Sequence, residues 1–384
     1  MTGTKGPLAG INIIEMVGIG PAPFACMILA DLGATVIRID RLSDAELGME
    51  RPAQFDFAAR GRPSVALDLK QPEAVKCVLA LLGKADALIE GYRPGVMERL
   101  GLGPASCRAI NPALVYARLT GWGQNGPLAQ AAGHDLNYLA LTGVLDMIGR
   151  EGAAPVPPLN LVADYAGGSL MCIIGLLSAL LHARQTGEGQ VVDAAMVDGV
   201  SLLATAMSGL RSAGMHDGPR GTNILDGGAP FYDVYQCSDG KYLSVAPIEA
   251  KFRVHFLSGL GFNVSTFPDW SDSANWPEAR SLIGSRLAEH SRDHWCEVFD
   301  GVDACVAPVL TPQEAPDHPH NLARGNYIDI GGLRQPAPAP RFEKTPTAVP
   351  APPQERGVGG SDALRDWGLG EGQIKALADA GILG

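Results

Sequence analysis

The chain is short of positive charge. Its 30 lysines and arginines face 41 aspartates and glutamates, a net charge of −11. A phosphate backbone demands a basic face, so this balance argues against a general nucleic-acid binder. It leaves open a local arginine cluster that holds a small phosphate-bearing ligand. Cysteines are few: Cys26, Cys77, Cys107, Cys172, Cys237, Cys296 and Cys305, scattered and odd in number. No CxxC or Cys/His ligand spacing occurs. This speaks against a disulfide framework and a structural zinc site, and for reduced thiols in a cytosol. Long apolar runs are also missing. The longest, "LMCIIGLLSALL" (Leu170 to Leu181), has twelve residues, against the roughly 20 of a membrane span. It reads as a buried helix. The stretch "MTGTKGPLAG" lacks an apolar signal core, and "AGILG" is not a Ser-Lys-Leu address. The expectation is a cytoplasmic protein with no membrane and no nucleic-acid partner.

What is present suits a large folded core: 384 residues, 46% of them hydrophobic. That predicts two domains or one large, elaborated one. "GINIIEM" reads as a buried strand, "GIGPAPFACMILADLGA" as a glycine turn and helix, and "TVIRID" as the next strand. The rhythm continues through "SVALDLK", "PEAVKCVLALLGKA" with Pro72 in its first turn, "DALIEGY", "PGVMERLG" and "LVYARLTGW". This is α/β, a Rossmann-like parallel sheet. Helices are expected at 135–147, 166–185 and 195–213, with "GQVVDAAM" a strand running into the last. "FYDVYQCSDGKYLSVAP" predicts an antiparallel hairpin around its SDG turn. The domain reading is a large domain over 1–190, a linker helix over 191–220 and a smaller α+β domain over 221–310. Residues 311–384 form a return linker, proline-rich and extended, and a C-terminal segment that packs on the large domain.

"GIGPAP" (Gly18 to Pro23) follows a strand, opens a helix and has Asp40 at the end of the next strand. That approximates a dinucleotide fingerprint. Pro23 replaces the third glycine, however, and Pro21 intrudes. The competing reading is a tight turn needed for packing. Arg38, Arg41, Arg60, Arg62 and Arg93 stand at or near strand ends, where an open parallel sheet gathers ligands. Guanidinium forks there suit phosphate oxygens.

"GHDLNYLALTG" sets His134 beside Asp135 at a predicted helix start. Taken alone, such a histidine is more often structural than catalytic. Asp164 follows an apolar run and precedes a glycine pair and a long helix. It is a helix cap on one reading, and on the other a carboxylate beside unpaired N–H groups. Glu249 ends a predicted strand ahead of another helix.

"GPAPFACMILADLGATVIRIDR", "SVALDLK", "EGYRPGVMERLGLG", "ARLTGWGQNGP", "GHDLNYLALTG" and "GGAPFYDVY" together resemble the class III CoA-transferase family. Within it they are most similar to the α-methylacyl-CoA racemase branch. The resemblance spans nearly the whole chain. It turns on His134, where transferases typically carry an aromatic residue.

The resemblance implies an isomerase that interconverts (R)- and (S)-2-methylacyl-CoA thioesters by proton transfer through an enolate. His134 and Asp164 would work on opposite faces of the α carbon, and Glu249 would fix the histidine tautomer. The backbone N–H of Asp164 is the candidate donor to the enolate oxygen. CoA contacts are implied at Arg38, Ala59, Arg62, Arg93, Gly133 and Tyr138, and an apolar acyl wall could use Met196, Met207 and Met215. No cofactor is implied, since CoA is part of the substrate, and no metal. The family's architecture implies an interlocked homodimer. The alternatives are a CoA-transferase with Asp164 as nucleophile and a non-catalytic acyl-CoA-binding protein.

Overall fold

A computed structural model describes residues 6–43 and 48–384. Residues 1–5, within the stretch read above for a targeting signal, and residues 44–47 lie outside the described residues. The chain divides into two compact units. Among the described residues, the first comprises 6–43, 48–142, 159–203 and 325–384, the second 143–158 and 204–324.

The first unit is built on a six-stranded parallel sheet. In chain order its strands are β1 (Asn12–Met16), β2 (Thr35–Asp40), β3 (Ser64–Ala66), β4 (Ala87–Glu90), β5 (Val115–Thr120) and β6 (Val191–Ala195). Their spatial order is β3-β2-β1-β4-β5-β6. This is the doubly wound order, with its switch point between β1 and β4. β1, β4 and β5 are almost wholly buried, as expected of a parallel sheet covered on both faces.

The crossovers are α1 (Pro21–Asp31), α2 (Pro72–Leu82), α3 (Val96–Arg99) and α4 (Pro104–Ile110). Proline opens α1, α2 and α4, where its missing N–H costs nothing. α5 (Asp135–Leu141) ends earlier than the predicted 135–147. Gly143, at φ +79°, turns the chain just beyond it, a left-handed stop that glycine allows.

Leu161–Leu170 is wound as a π-helix and runs directly into α6 (Met171–Thr186). The continuous helix Leu161–Thr186 starts earlier than predicted. It is long and apolar enough to cross a membrane by length and composition, with half of its apolar window buried inside the protein. α7 (Met196–Leu203) then packs on the π-helical stretch. A Cβ on Gly199 would fall 1.9 Å from the Gly167 carbonyl oxygen, so only glycine admits this approach. β6 and α7 therefore belong to the first unit rather than to a linker over 191–220.

β10 (Tyr327–Ile330) and β11 (Leu333–Pro336) form a hairpin. The proline-rich stretch beyond it is extended and meets Gly61, whose N–H donates to the Ala351 carbonyl at 2.9 Å. In the closing helices (Gly360–Asp366 and Glu371–Asp379), Leu364, Trp367, Ile374 and Leu377 join the core formed by Val65, Leu81, Leu88 and Tyr116.

The second unit carries a three-stranded antiparallel sheet of β7 (Asp233–Gln236), β8 (Tyr242–Val245) and β9 (Val306–Val309). Its β7–β8 hairpin turns through Ser238–Gly240, as the SDG signal predicts. α8 (Thr205–Ser212), α9 (Ala250–Gly259), α10 (Trp276–Leu287) and α11 (Arg292–Val298) accompany it. An aromatic core of Phe231, Tyr235, Phe256, Trp270, Trp295 and Phe299 holds the unit together. The unit extends past the predicted 221–310, from Ala204 to Arg324, and takes in Gly143–Pro158. Asp146, Arg150 and Ala153 bond to its Arg220 and Asp233.

Candidate active site

The turn after β1 leads into α1 at the switch point of the sheet. Gly20 precedes the helix at φ +66° and ψ −115°. A Cβ there would lie 3.1 Å from Asp164 Oδ2. The glycine thus leaves room for a carboxylate that arrives from the π-helical stretch, and Phe24 stacks on Tyr165 at 4.2 Å beside it. Asp40, which would bond a ribose in a dinucleotide site, is buried. It accepts from Arg38 Nε at 2.6 Å and from the Ser64 hydroxyl. Of the two readings of "GIGPAP", the packing turn is the one that fits.

Asp164 is half-buried, and Asn160 Nδ2 donates to its Oδ2 at 3.3 Å. Burial pushes its carboxyl above the usual range. The Asn160 bond opposes the shift, the nearby charge of Asp135 adds to it, and that of His134 opposes it. His134 is the residue before α5, with its ring exposed and its N–H donating to Asn137 Oδ1 at 3.0 Å. Between the two stands Asp135, a buried residue. Its Oδ1 accepts from the Ala163 amide at 2.9 Å and the Asp164 amide at 2.7 Å. The structure thus brings His134 and Asp164 together through the residue that follows the histidine. The same bonds overturn one expectation. The Asp164 N–H is engaged by a carboxylate and is not free for an enolate oxygen.

Tyr138 lies one turn along α5. Its hydroxyl donates to the Gly133 carbonyl, and its ring meets Trp122 edge-on at 4.7 Å. Gly121 and Gly133 make this possible, since a Cβ would fall 2.0 Å from Tyr138 Cζ and 2.8 Å from Cε1 respectively. Burial pushes the phenol up to about 12, Asp164 adds to the shift and Arg93 opposes it. Tyr138 therefore stays a neutral donor, with exposed Arg93 close by at the end of β4.

The arginine group divides. Arg93 and Arg41 are exposed, and Arg41 lies 5.8 Å over the Tyr92 ring. Arg38 keeps a partly exposed guanidinium against Asp40. Arg60 is buried, forked onto Asp31, and donates to Gln335 Oε1 at 3.0 Å and the Pro336 carbonyl at 2.8 Å. Arg62 is fully buried, with Nε 2.7 Å from Glu15 Oε2 in an ion pair not aligned as a hydrogen bond. A buried charge needs such a partner. The expectation of a phosphate contact at Arg62 therefore meets a guanidinium that holds the sheet interior. Ala59 is buried at the end of the short helical turn Phe57–Ala59.

Glu249 sits in the second unit, exposed at the start of α9, where its carbonyl accepts the Phe252 and Arg253 amides. Met196 is core, packed under Gly168 in the first unit. Met207 lines a cavity of the second unit, and Met215 is exposed.

Sequence reasoning passed over Asp135 and Asn160 as site residues. An acid in the first turn of a helix reads as a dipole partner, and nothing local says that it clamps a segment from elsewhere in the chain.

The model of the family described as CoA-transferase family III matches residues 8–357. The chain belongs to CoA-transferase family III. Among its relatives it is 44% identical over 373 residues to the α-methylacyl-CoA racemase of Mus musculus, with 96% of each chain covered. It is 41% identical over 379 residues to that of Homo sapiens, with the same coverage. Acetyl-CoA:oxalate CoA-transferase of Acetobacter aceti is 30% identical, covering 86% of this chain and 88% of that one. A solved CAIB/BAIF family protein from Brucella suis superposes with a TM-score of 0.82 at 25% identity, covering 94% of this chain and 100% of that one.

Proposed function

We propose that this member of CoA-transferase family III is a racemase that interconverts the two configurations of 2-methylacyl-CoA thioesters. The observation that carries the reading is the clamp that sets an exposed imidazole beside a half-buried carboxyl of raised pKa. Racemisation needs a base on each face of one carbon, one to remove the proton and one to return it. Free histidine and aspartate differ by more than two pKa units. Burial lifts Asp164 toward the histidine, so each can serve as acid in one direction and base in the other. The higher identity to the racemases than to the oxalate transferase supports the same reading.

The thioester carbonyl acidifies the α C–H, and its oxygen gathers charge as the proton leaves. With the Asp164 amide engaged, that charge falls to another donor. The Asp135 N–H opens α5 and has no carbonyl partner within the helix. Losing one such donor typically raises the barrier by about 2.7–4 kcal/mol. Within the proposed dimer, Glu249 is assigned to the far nitrogen of the histidine ring from the second copy of the chain, and Arg38, Arg93, Gly133 and Tyr138 to the CoA moiety. The thioester is its own activator, so this chemistry calls for no metal or redox cofactor. The chain is proposed to act in the cytoplasm as an interlocked homodimer. Supporting that assembly, α6 leaves an apolar face open at Ile174 and Leu181.

The test is α-proton exchange in deuterated water over a panel of 2-methylacyl-CoA thioesters. Deuterium uptake at the α carbon without loss of CoA supports the reading. Net movement of CoA to a free acid in place of exchange makes Asp164 a nucleophile and overturns it.

A further inference from the structure

Ser169 lies five residues past Asp164 on the π-helical stretch of the first unit and is fully buried. Its hydroxyl donates to the Asp164 carbonyl at 3.1 Å and, more closely, to the Pro21 carbonyl at 2.7 Å. The first contact is the back-bond common to helical serines, displaced by one residue because the helix is π-wound. The second leaves the helix altogether. It reaches the first residue of α1, 148 residues away in the sequence. A hydroxyl has one proton to give, and the shorter contact takes the larger share of it.

Pro21 follows Gly20, the residue whose Cβ would lie 3.1 Å from Asp164 Oδ2. One side chain therefore ties the turn that walls in the carboxylate to the helix that carries it. Gly168 lets the two elements close up, since a Cβ there would lie 3.4 Å from Pro21 Cβ. Phe24 and Tyr165 stack at 4.2 Å between the same two elements. Stacked rings set a spacing but tolerate sliding, whereas a hydrogen bond has a preferred direction. With its amide on Asp135 Oδ1 and its carbonyl on Ser169 Oγ, Asp164 is gripped at both ends of its own backbone.

We infer that Ser169 is a positioning residue for Asp164: its hydroxyl sets the gap between the Gly20–Pro21 turn and the carboxyl group, and so governs whether Asp164 reaches the substrate's α carbon. This rests on the racemase reading above, in which Asp164 serves one face of that carbon and His134 the other. That division gives the role a signature. The base on one face takes the α proton and leaves the enolate. A proton delivered to the opposite face by the other group completes inversion. A solvent deuteron returned by the first base restores the starting configuration, now labelled. For the enantiomer whose α proton faces His134, a displaced Asp164 slows delivery but neither removal nor return, so labelled starting material gains on inverted product. For the other enantiomer the displacement slows removal itself, and the retained label gains nothing.

The test uses the intact protein in deuterated water with each pure enantiomer of a 2-methylacyl-CoA thioester. Initial rates of label in the retained and in the inverted thioester are compared. In Ser169→Ala the retained-to-inverted ratio is expected to rise by roughly tenfold to a hundredfold for one enantiomer only, the range of a misplacement near 1 Å. Ser169→Cys, similar in size but a weaker donor, is expected to fall between, and it carries the test if the alanine variant does not fold. A ratio that stays unchanged, or rises equally for both enantiomers, means that Ser169 serves stability alone and overturns the inference, whatever the fall in overall rate. If the wild type exchanges neither enantiomer, the racemase reading fails by itself. Ser169 is then judged by nuclear magnetic resonance titration of the Asp164 carboxyl carbon. Burial holds that carboxyl above its usual range, so a loosened Asp164 in Ser169→Ala is expected to titrate at lower pH, toward an ordinary carboxylate. An unmoved midpoint overturns the inference on that branch.

Discussion

Asp135 Oδ1 holds the Asp164 amide at 2.7 Å, so the residue after His134 sets where the segment carrying the second proposed acid/base group begins. Two effects are combined there, one geometric and one electrostatic, and two substitutions separate them. Asp135→Ala releases the Ala163 and Asp164 amides, and exchange is expected to fall by roughly 10²-fold, the cost of a misplacement near 1 Å. Asp135→Asn keeps an oxygen for both amides and removes only the charge. That charge helps to raise the Asp164 pKa, so its loss lowers it. The pH–rate limb owed to Asp164 is then expected to move to lower pH in both directions of turnover, with most of kcat retained. A limb that stays in place would show that Asp135 acts by position alone.

Gly20 offers a second way to disturb the same carboxylate, from the opposite side. A methyl there meets Asp164 Oδ2 at 3.1 Å, on a backbone at φ +66°. Gly20→Ala is expected to cost about 1–2 kcal/mol of stability from the left-handed backbone, read as a lower midpoint in urea. It is also expected to lower kcat more than it raises KM, because the side chain that gives way is the proposed acid/base group. Unchanged kcat would mean that Asp164 has room to spare.

The sheet was largely legible in the sequence because its signals are local. Buried strands read as short apolar runs, and Pro72 marks a helix start. The candidate site was legible as residue types, His134 and Asp164 above all, with the family resemblance supplying the roles proposed for them. What the sequence hid depends on partners brought from elsewhere in the chain. Arg60 and Arg62 look like surface charges until Asp31 and Glu15 are packed against them. The division at Ala204 also escaped notice, because α7 and α8 read as one helix over 195–213.

Glu90 provides a test of stability rather than rate. It is fully buried at the end of β4, with Arg118 Nε at 3.0 Å and the Tyr92 amide at 2.7 Å. Burial outweighs these partners and lifts its carboxyl to about 6 from an ordinary 4.5. The folded state thus holds this proton more tightly than the unfolded chain. The stability it contributes is full below about pH 4.5 and is lost as pH rises through about 6. Glu90→Gln stays neutral throughout. The stability of the wild type relative to Glu90→Gln is therefore expected to fall by up to about 2 kcal/mol between those limits and to level off above them. Denaturant unfolding at stepped pH measures the difference. A relative stability that rises with pH would mean that the Arg118 pair dominates burial.

Ile174 and Leu181 stand seven residues apart on α6, two helical turns, and are 56% and 63% exposed. Apolar groups repeated on one helix face suit a surface that another chain covers, as the proposed dimer requires. Sedimentation equilibrium is expected to give twice the 40.2 kDa of one chain, and Ile174→Glu combined with Leu181→Glu to weaken that assembly. Interlocking makes a sharper demand than dimerisation. Two threaded chains cannot part without opening one of them, so dissociation must track unfolding rather than dilution. Two differently tagged preparations mixed under native conditions are then expected to form no hybrid dimer over days, and to form hybrids at the statistical fraction after joint unfolding and refolding. Hybrids that appear on native mixing would leave a dimer but exclude threading. A single-chain mass at every concentration would exclude the dimer itself.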